Sequence, residues 1–200
     1  MLLRGTTSSP FVRKVRIAAH HLNLDSQMSL VTVDAANAVE SIGPDNPLRK
    51  IPVLRLDNGR RLYDSRVILE YLDHLAGGDR LLPKDWDKRL DALTGQALGD
   101  GILDAGVLIV YEGRHRPKEI HHEPWLAYQR GKVERGLEAF AANPPDPTTL
   151  TVGTLALACA LGYLDFRKQV DWRTAQPTLV AWLDRFRAAV PAFDQTTPEG

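Results

Sequence analysis

The sequence predicts an α/β half, a mixed four-stranded sheet with flanking helices, followed by an all-α helical bundle. Three observations predict it. Over residues 1–76 the apolar spacing alternates between the period of a strand and the period of a helix. Near the end of that stretch, Ile51-Pro52 opens a short apolar strand, and Asn58-Gly59 turns the chain straight back along another. From residue 85 onward no segment reads as a strand.

Met1 to Arg4 reads as a short buried strand, and Pro10 to Leu22 as a helix with Phe11, Val15, Ala18, Ala19 and Leu22 on one face. Met28 to Val33 is a second strand. Residues 35–45 form a weak helix or irregular segment ending at Gly43-Pro44. Pro52 removes a ladder donor at the first residue of the next strand, where the loss does least harm. The returning strand ends at Asp64-Ser65, and Ser65 occupies the expected N-cap of a helix bearing Val67, Ile68, Tyr71, Leu72 and Leu75. This βαβ–ββα order gives a mixed sheet with helices on both sides. Gly77-Gly78-Asp79 ends the helix, and residues 77–84 form a linker through Leu81-Leu82-Pro83.

Residues 85–200 read as a helical domain with at least four long helices. Asp87 to about His115 is the first, and about Lys118 to Ala142 the second. Asn143-Pro144-Pro145-Asp146-Pro147 is a rigid break. Thr151 starts a helix whose segment Leu155 to Leu164 has no charged residue, so it should run through the middle of the domain. Thr151 fits as its N-cap. Thr154 stands where a capping box would carry an acid, so the reciprocal bond should be weak or absent, and Gly153 adds a local cost. Pro177 to Val190, with Leu179, Leu183, Phe186 and Val190 at helical spacing, is an outer helix.

Composition narrows the function. The chain has 200 residues, enough for a real core, and its 25 Lys+Arg balance its 25 Asp+Glu. No basic face is implied, so nucleic acid and anionic membrane are poor partners. Arg4 follows only two leucines after Met1, which argues against a signal peptide, and the longest apolar run, Leu155 to Leu161, is far short of a bilayer span. One cysteine, Cys159, fits a reducing cytoplasm and reads as an inert core residue. His20-His21 and His121-His122 are adjacent pairs rather than the i, i+4 spacing of helical ligands, so no metal site is expected. Trp86, Trp125, Trp172 and Trp182 read as packing anchors.

Pro52 near a helix N-terminus that carries Asp64 and Ser65 makes a corner able to hold a small zwitterionic peptide. At this point a resemblance can be named. Ser8-Ser9-Pro10-Phe11-Val12-Arg13-Lys14-Val15-Arg16, Asn46-Pro47-Leu48-Arg49-Lys50-Ile51-Pro52-Val53-Leu54 and Tyr63-Asp64-Ser65-Arg66-Val67-Ile68-Leu69-Glu70-Tyr71-Leu72 resemble, in order and spacing, the thioredoxin-like, glutathione-binding half of soluble glutathione S-transferases. The helical remainder resembles that family's second domain, so the likeness covers nearly the whole chain.

The resemblance implies glutathione as co-substrate, no metal, and a homodimer in the cytoplasm. Ser9 aligns with the sulfur-contacting serine of theta- and zeta-like members, with Ser8, Thr7 or Thr6 as fallbacks; Ser9 also reads simply as a helix cap before Pro10. A cysteine at this position would support mixed-disulfide chemistry, but none is present, and no tyrosine precedes residue 63. The resemblance also implies a cis Pro52 that turns the Ile51 backbone toward the cysteinyl part of glutathione. It further implies Asp64 and Ser65 on the γ-glutamyl end, and Lys50 on the glycyl carboxylate unless that lysine is only a solvated charge. Many members carry glycine where this chain has Arg49. Helix periodicity and family geometry suggest Asp104, Ala105, Leu108, Tyr111 and Glu112 or Arg114 as the lining for the electrophile, unless these residues merely pack.

Two functions stay open: a transferase that activates the thiolate for attack on a small, largely apolar electrophile, or a non-catalytic member binding glutathione or protein partners. A zeta-like isomerase is a third reading, but the Ser-Ser-Cys motif it needs is absent after Ser8-Ser9.

Overall fold

Strand β1 (Leu2–Gly5) pairs parallel with β2 (Ser29–Thr32) and antiparallel with β3 (Val53–Arg55), which pairs antiparallel with β4 (Arg61–Leu62). The sheet order is therefore β2-β1-β3-β4. A parallel pair needs a crossover, and α1 (Pro10–His21) supplies it. These coordinates come from a computed structural model that describes residues 1–34 and 38–199, with the backbone alone for Ala38 and Val39. Residues 35–37, where the sequence suggests a weak helix or irregular segment, lie outside the described residues; a single turn, α2 (Ala38–Ser41), follows them. The chain divides into two compact units, one of Met1–Arg89 with Val190–Gly200 and one of Leu90–Ala189.

In the first unit, Leu3, Val53 and Leu54 are fully buried in the sheet, with Ile68, Leu69 and Leu72 of α3 (Ser65–Leu75). The apolar face of α1 is wider than its spacing suggests. Val12 and Ile17 are buried as completely as Val15 and Ala18, while Phe11 is half-buried. The reason is tertiary: α1 packs against α3 and also against α9 (Ala192–Gln195), a short helix from the far end of the chain. Arg13 fixes that return, donating from Nη2 to the Phe193 carbonyl at 2.7 Å with its guanidinium 3.9 Å from the Phe193 ring centre. After α3, Gly77, Gly78 and Asp79 take positive φ in succession, and the buried Asp73 carboxylate accepts the N–H groups of Arg80 and Leu81.

The second unit is helical throughout: most of α4 (Trp86–His115), then α5 (Glu123–Ala142), α6 (Val152–Arg167), a short α7 (Trp172–Ala175) and α8 (Pro177–Ala189). A 3-10 turn, Lys118–Ile120, precedes α5, so that helix starts later than its spacing suggests. Glu112 holds the turn by accepting the His122 N–H at 3.1 Å and a bond from Arg116. The residues of α6 from Val152 to Leu164 are buried, Cys159 completely, which makes it the central helix. Its capping box is complete, contrary to expectation: the Thr154 hydroxyl accepts the Thr151 N–H at 2.8 Å while Thr151 accepts from Thr154. A hydroxyl reaches as well as a carboxylate here, and it also donates to the Thr149 carbonyl at 2.9 Å.

Gly153 also has a purpose that propensity hides. A Cβ there would lie 2.8 Å from the Ala92 carbonyl oxygen, so α4 and α6 cross backbone against backbone. Trp172 and Trp182 are buried anchors donating to Asp165 and the Pro145 carbonyl, whereas Trp86 and Trp125 are exposed and do not anchor the core. Among the described helices, α4 alone has the length and apolar content to cross a membrane; 44% of its most apolar 18-residue window is buried, and core helices of globular domains share such length and composition.

Candidate functional site

Strand register builds the site. Arg4 pairs with Val53, and Leu54 pairs with Leu62. Extending both antiparallel ladders in the same direction brings together the turn after β1, the entry to β3 at Pro52, and the Tyr63–Ser65 exit from β4. The Ser9 segment, Pro52 and Asp64-Ser65 thus leave the sheet at one end of the first unit. A direct contact joins two of the elements: Lys14 Nζ of α1 donates to Ser65 Oγ of α3 at 3.4 Å.

Ser9 is extended (φ −81°, ψ 124°) and caps α1, its Oγ accepting the Val12 N–H at 3.4 Å with Pro10 as the first helical residue. A hydroxyl that accepts one bond still has its hydrogen to give, so capping leaves Ser9 a donor. The Ser8 hydroxyl instead lies 3.3 Å from that of Thr6. The Ile51-Pro52 peptide is cis, and so is Tyr63-Asp64. The Ile51 side chain packs on the small cluster of Val33, Ile42 and Val53.

The N-cap of α3 is Asp64 and not Ser65: the Asp64 Oδ1 accepts the Arg66 N–H at 3.0 Å, and Ser65 is the first helical residue. Both residue types are good caps, and the backbone selects the earlier one because Asp64 is extended while Ser65 already has helical geometry. Ser65 is 1% exposed. Lys50 is exposed on a loop organised by Asn46, whose side chain donates to the Lys50 carbonyl at 2.9 Å and accepts the Leu48 N–H at 3.0 Å. Within that loop Arg49 has φ 53°, the left-handed conformation that glycine adopts freely, so the arginine keeps the loop's shape at a steric cost.

On α4, in the second unit, Asp104, Leu108 and Tyr111 lie exposed at helical spacing, whereas Ala105 is 2% exposed and belongs to the buried face with Ile102 and Ile109. Tyr163 of α6 packs under α4, 3.4 Å from where a Gly106 Cβ would sit, and burial pushes its hydroxyl above the usual tyrosine range. Two open clefts of about 400 and 600 Å³ flank Val170, Asp171 and Trp172 in the same unit, and none of the glutathione- or electrophile-site residues suggested by the sequence lines them. Among the described residues, no group of three or more His, Cys, Asp or Glu is gathered for a metal ion.

Residues 8–75 match the family model for the glutathione S-transferase N-terminal domain. Over 99% of its length the chain is 34% identical to the uncharacterized GST-like protein YibF of Escherichia coli K12, spanning 98% of that protein. The chain belongs to the glutathione S-transferase family. Its fold also matches solved members. One from Pseudomonas fluorescens Pf-5 with bound glutathione superposes at a TM-score of 0.90, with 41% identity, covering 100% of this chain and 99% of that one. Another, a glutathione S-transferase from Methylobacillus flagellatus with glutathione bound, superposes at 0.88 with 36% identity and 99% coverage of both chains.

Within this family member, sequence reasoning passed over two residues at the same sheet end. Asn46 shapes the loop before Pro52, and an Asn-Pro turn signal was there to find it. Lys14 is fully buried; its signal was a charged residue four positions before Ala18, on the apolar face of α1.

Proposed function

We propose that this protein is a serine-type, theta/zeta-like glutathione transferase of the cytoplasm, working as a homodimer, that activates the glutathione thiolate for attack on a small, largely apolar electrophile. The convergence of the Ser9 cap, the Pro52 strand entry and the Asp64-Ser65 helix start at one sheet end is the observation that carries this reading. The P. fluorescens relative, solved with glutathione and with S-(propanoic acid)-glutathione, lends support. In the proposed complex the Ile51 backbone pairs with the cysteinyl part of the peptide as an added strand. Asp64 and Ser65 take the γ-glutamyl amino group and carboxylate at the α3 N-terminus, and Lys50 takes the glycyl carboxylate.

Ser9 then donates its hydroxyl hydrogen to the sulfur. A free thiol of pKa about 8.5 is mostly protonated at neutral pH, and each unit of lowering corresponds to about 1.36 kcal/mol of preference for the thiolate, the nucleophilic form. The electrophile is received by the exposed Asp104, Leu108 and Tyr111 of α4, with the buried Ala105 left out of that lining. The domain division proposed with this reading is residues 1–76 for glutathione, a linker of 77–84, and 85–200 for the helical domain. Retention on immobilised glutathione tests the peptide site: the folded double variant Asp64→Ala/Ser65→Ala is expected to flow through, and its retention would remove these residues from the site.

A further inference from the structure

Lys14 has a fully buried side chain, an uncommon state for a lysine because taking an ammonium out of water is costly. The ammonium can only donate, and it donates to Ser65 Oγ at 3.4 Å. A serine hydroxyl has two lone pairs and one hydrogen. With one lone pair facing Nζ, the hydrogen must turn away from Lys14. Among the described residues no protein acceptor takes it, and the adjacent Asp64 Oδ1 is engaged with the Arg66 N–H. Ser65 is 1% exposed, so water competes little and protein partners set the direction of its O–H. That direction matters because Ser65 opens α3, where backbone N–H groups and the helix dipole already favour an anion.

We propose that Lys14 is a positioning residue for glutathione recognition: it orients the Ser65 hydroxyl so that the O–H is donated to the α-carboxylate of the γ-glutamyl group. Lys14 touches neither the ligand nor the reacting sulfur in this scheme. The proposal rests on the reading that Ser65 receives that carboxylate, so the test uses two ligands: glutathione, and γ-aminobutyryl-cysteinyl-glycine, which lacks only that carboxylate.

Dissociation constants for both are measured by calorimetry on the full-length protein, with folding checked by circular dichroism. Wild type is expected to prefer glutathione by tenfold or more, the scale of a hydrogen bond to a charged group. Lys14→Met should weaken glutathione about tenfold while leaving the truncated peptide unchanged, so that the preference collapses. Lys14→Gln, which restores a donor, should recover part of it. A merely structural role would weaken both ligands equally. A folded Lys14→Met that keeps the wild-type preference overturns the proposal. Where Lys14→Met does not fold, Ser65→Ala decides, because a preference that survives loss of the hydroxyl leaves Lys14 nothing to orient and overturns it equally. Wild type without any preference refutes instead the underlying assignment of Ser65, a result that cannot be mistaken for the first.

Discussion

Replacing Ser9 by alanine separates two roles that the structure lets one hydroxyl hold. The cap bond to the Val12 N–H is long, 3.4 Å, so its loss belongs at the low end of cap substitutions, about 0.5 kcal/mol. At roughly 2–4 °C per kcal/mol for a chain of this size, the melting midpoint should fall by only about 1–2 °C. Loss of an oriented donor to a thiolate in an enclosed site costs about 2.7 kcal/mol or somewhat less. That corresponds to roughly a hundredfold in turnover and to a rise of about 2 in the pKa of the bound sulfur. The two magnitudes differ enough that unfolding cannot imitate the chemical effect. Affinity should change little, since the proposed peptide contacts at Ile51, Asp64 and Ser65 do not involve Ser9. Ultraviolet absorbance of the thiolate, followed against pH in the glutathione complex, reads the effect directly. Ser8→Ala serves as control because its hydroxyl faces Thr6. A Ser9→Ala complex that titrates like wild type refutes the assignment. If Ser8→Ala shifts instead, the alignment is off by one residue; if neither does, backbone N–H groups or a threonine hold the sulfur.

The remaining predictions concern stability and assembly. Gly153→Ala would place a methyl 2.8 Å from the Ala92 carbonyl oxygen, and the overpacking, about 1–3 kcal/mol, should exceed the gain in helix propensity and lower the midpoint in a thermal melt. Gly101→Ala on the exposed side of α4 meets nothing within 4 Å and should raise the midpoint, by up to about 1 kcal/mol of propensity. Burial, and secondarily Arg80, hold the His21 pKa below its ordinary 6.5, so the unfolded chain binds more protons just below that value. Stability from His21 is therefore complete above pH 6.5 and lost as pH falls through its lowered folded pKa; His21→Gln should flatten that limb of a melting-versus-pH curve, modestly because the ring is half-exposed. For the proposed homodimer, light scattering is expected to give about twice 22.2 kDa, and a monomer at micromolar concentration would count against it.

Elements with strong local signals were legible in the sequence. The Asn58-Gly59 reversal, the proline at the strand entry and the charge-free run of α6 each carry a mechanism that operates within a few residues. Features set by distant parts of the chain were not. Nothing within α1 announces that α9 will pack against it and take the Arg13 side chain, and nothing in residues 190–199 announces that they return to the first unit. Gly153 reads as a defect until the backbone of α4 is beside it. At the candidate site the motifs were legible as types and positions, but the choice of cap between Asp64 and Ser65 depends on backbone geometry, and the Lys14 contact depends on how α1 lies against α3. Local chemistry names the groups, and tertiary packing decides which of their lone pairs are already taken.

That last distinction supports the proposal that this sheet end takes an anionic peptide. Ser9 Oγ accepts from Val12, Ser65 Oγ from Lys14, Asp64 Oδ1 from Arg66 and Asn46 Oδ1 from Leu48. The acceptors at the site are therefore largely engaged within the protein, while the two serine hydroxyls keep their hydrogens. The first N–H groups of α3 have no partner inside their own helix, as at any helix start. A ligand rich in donors would find little to bind. A ligand carrying carboxylates and a sulfur that can become anionic meets hydrogens from several directions, and the second oxygen of Asp64 remains to meet its single ammonium group. In the proposed complex the same asymmetry would favour the thiolate over the thiol, because the charged sulfur is the stronger acceptor for the Ser9 hydroxyl.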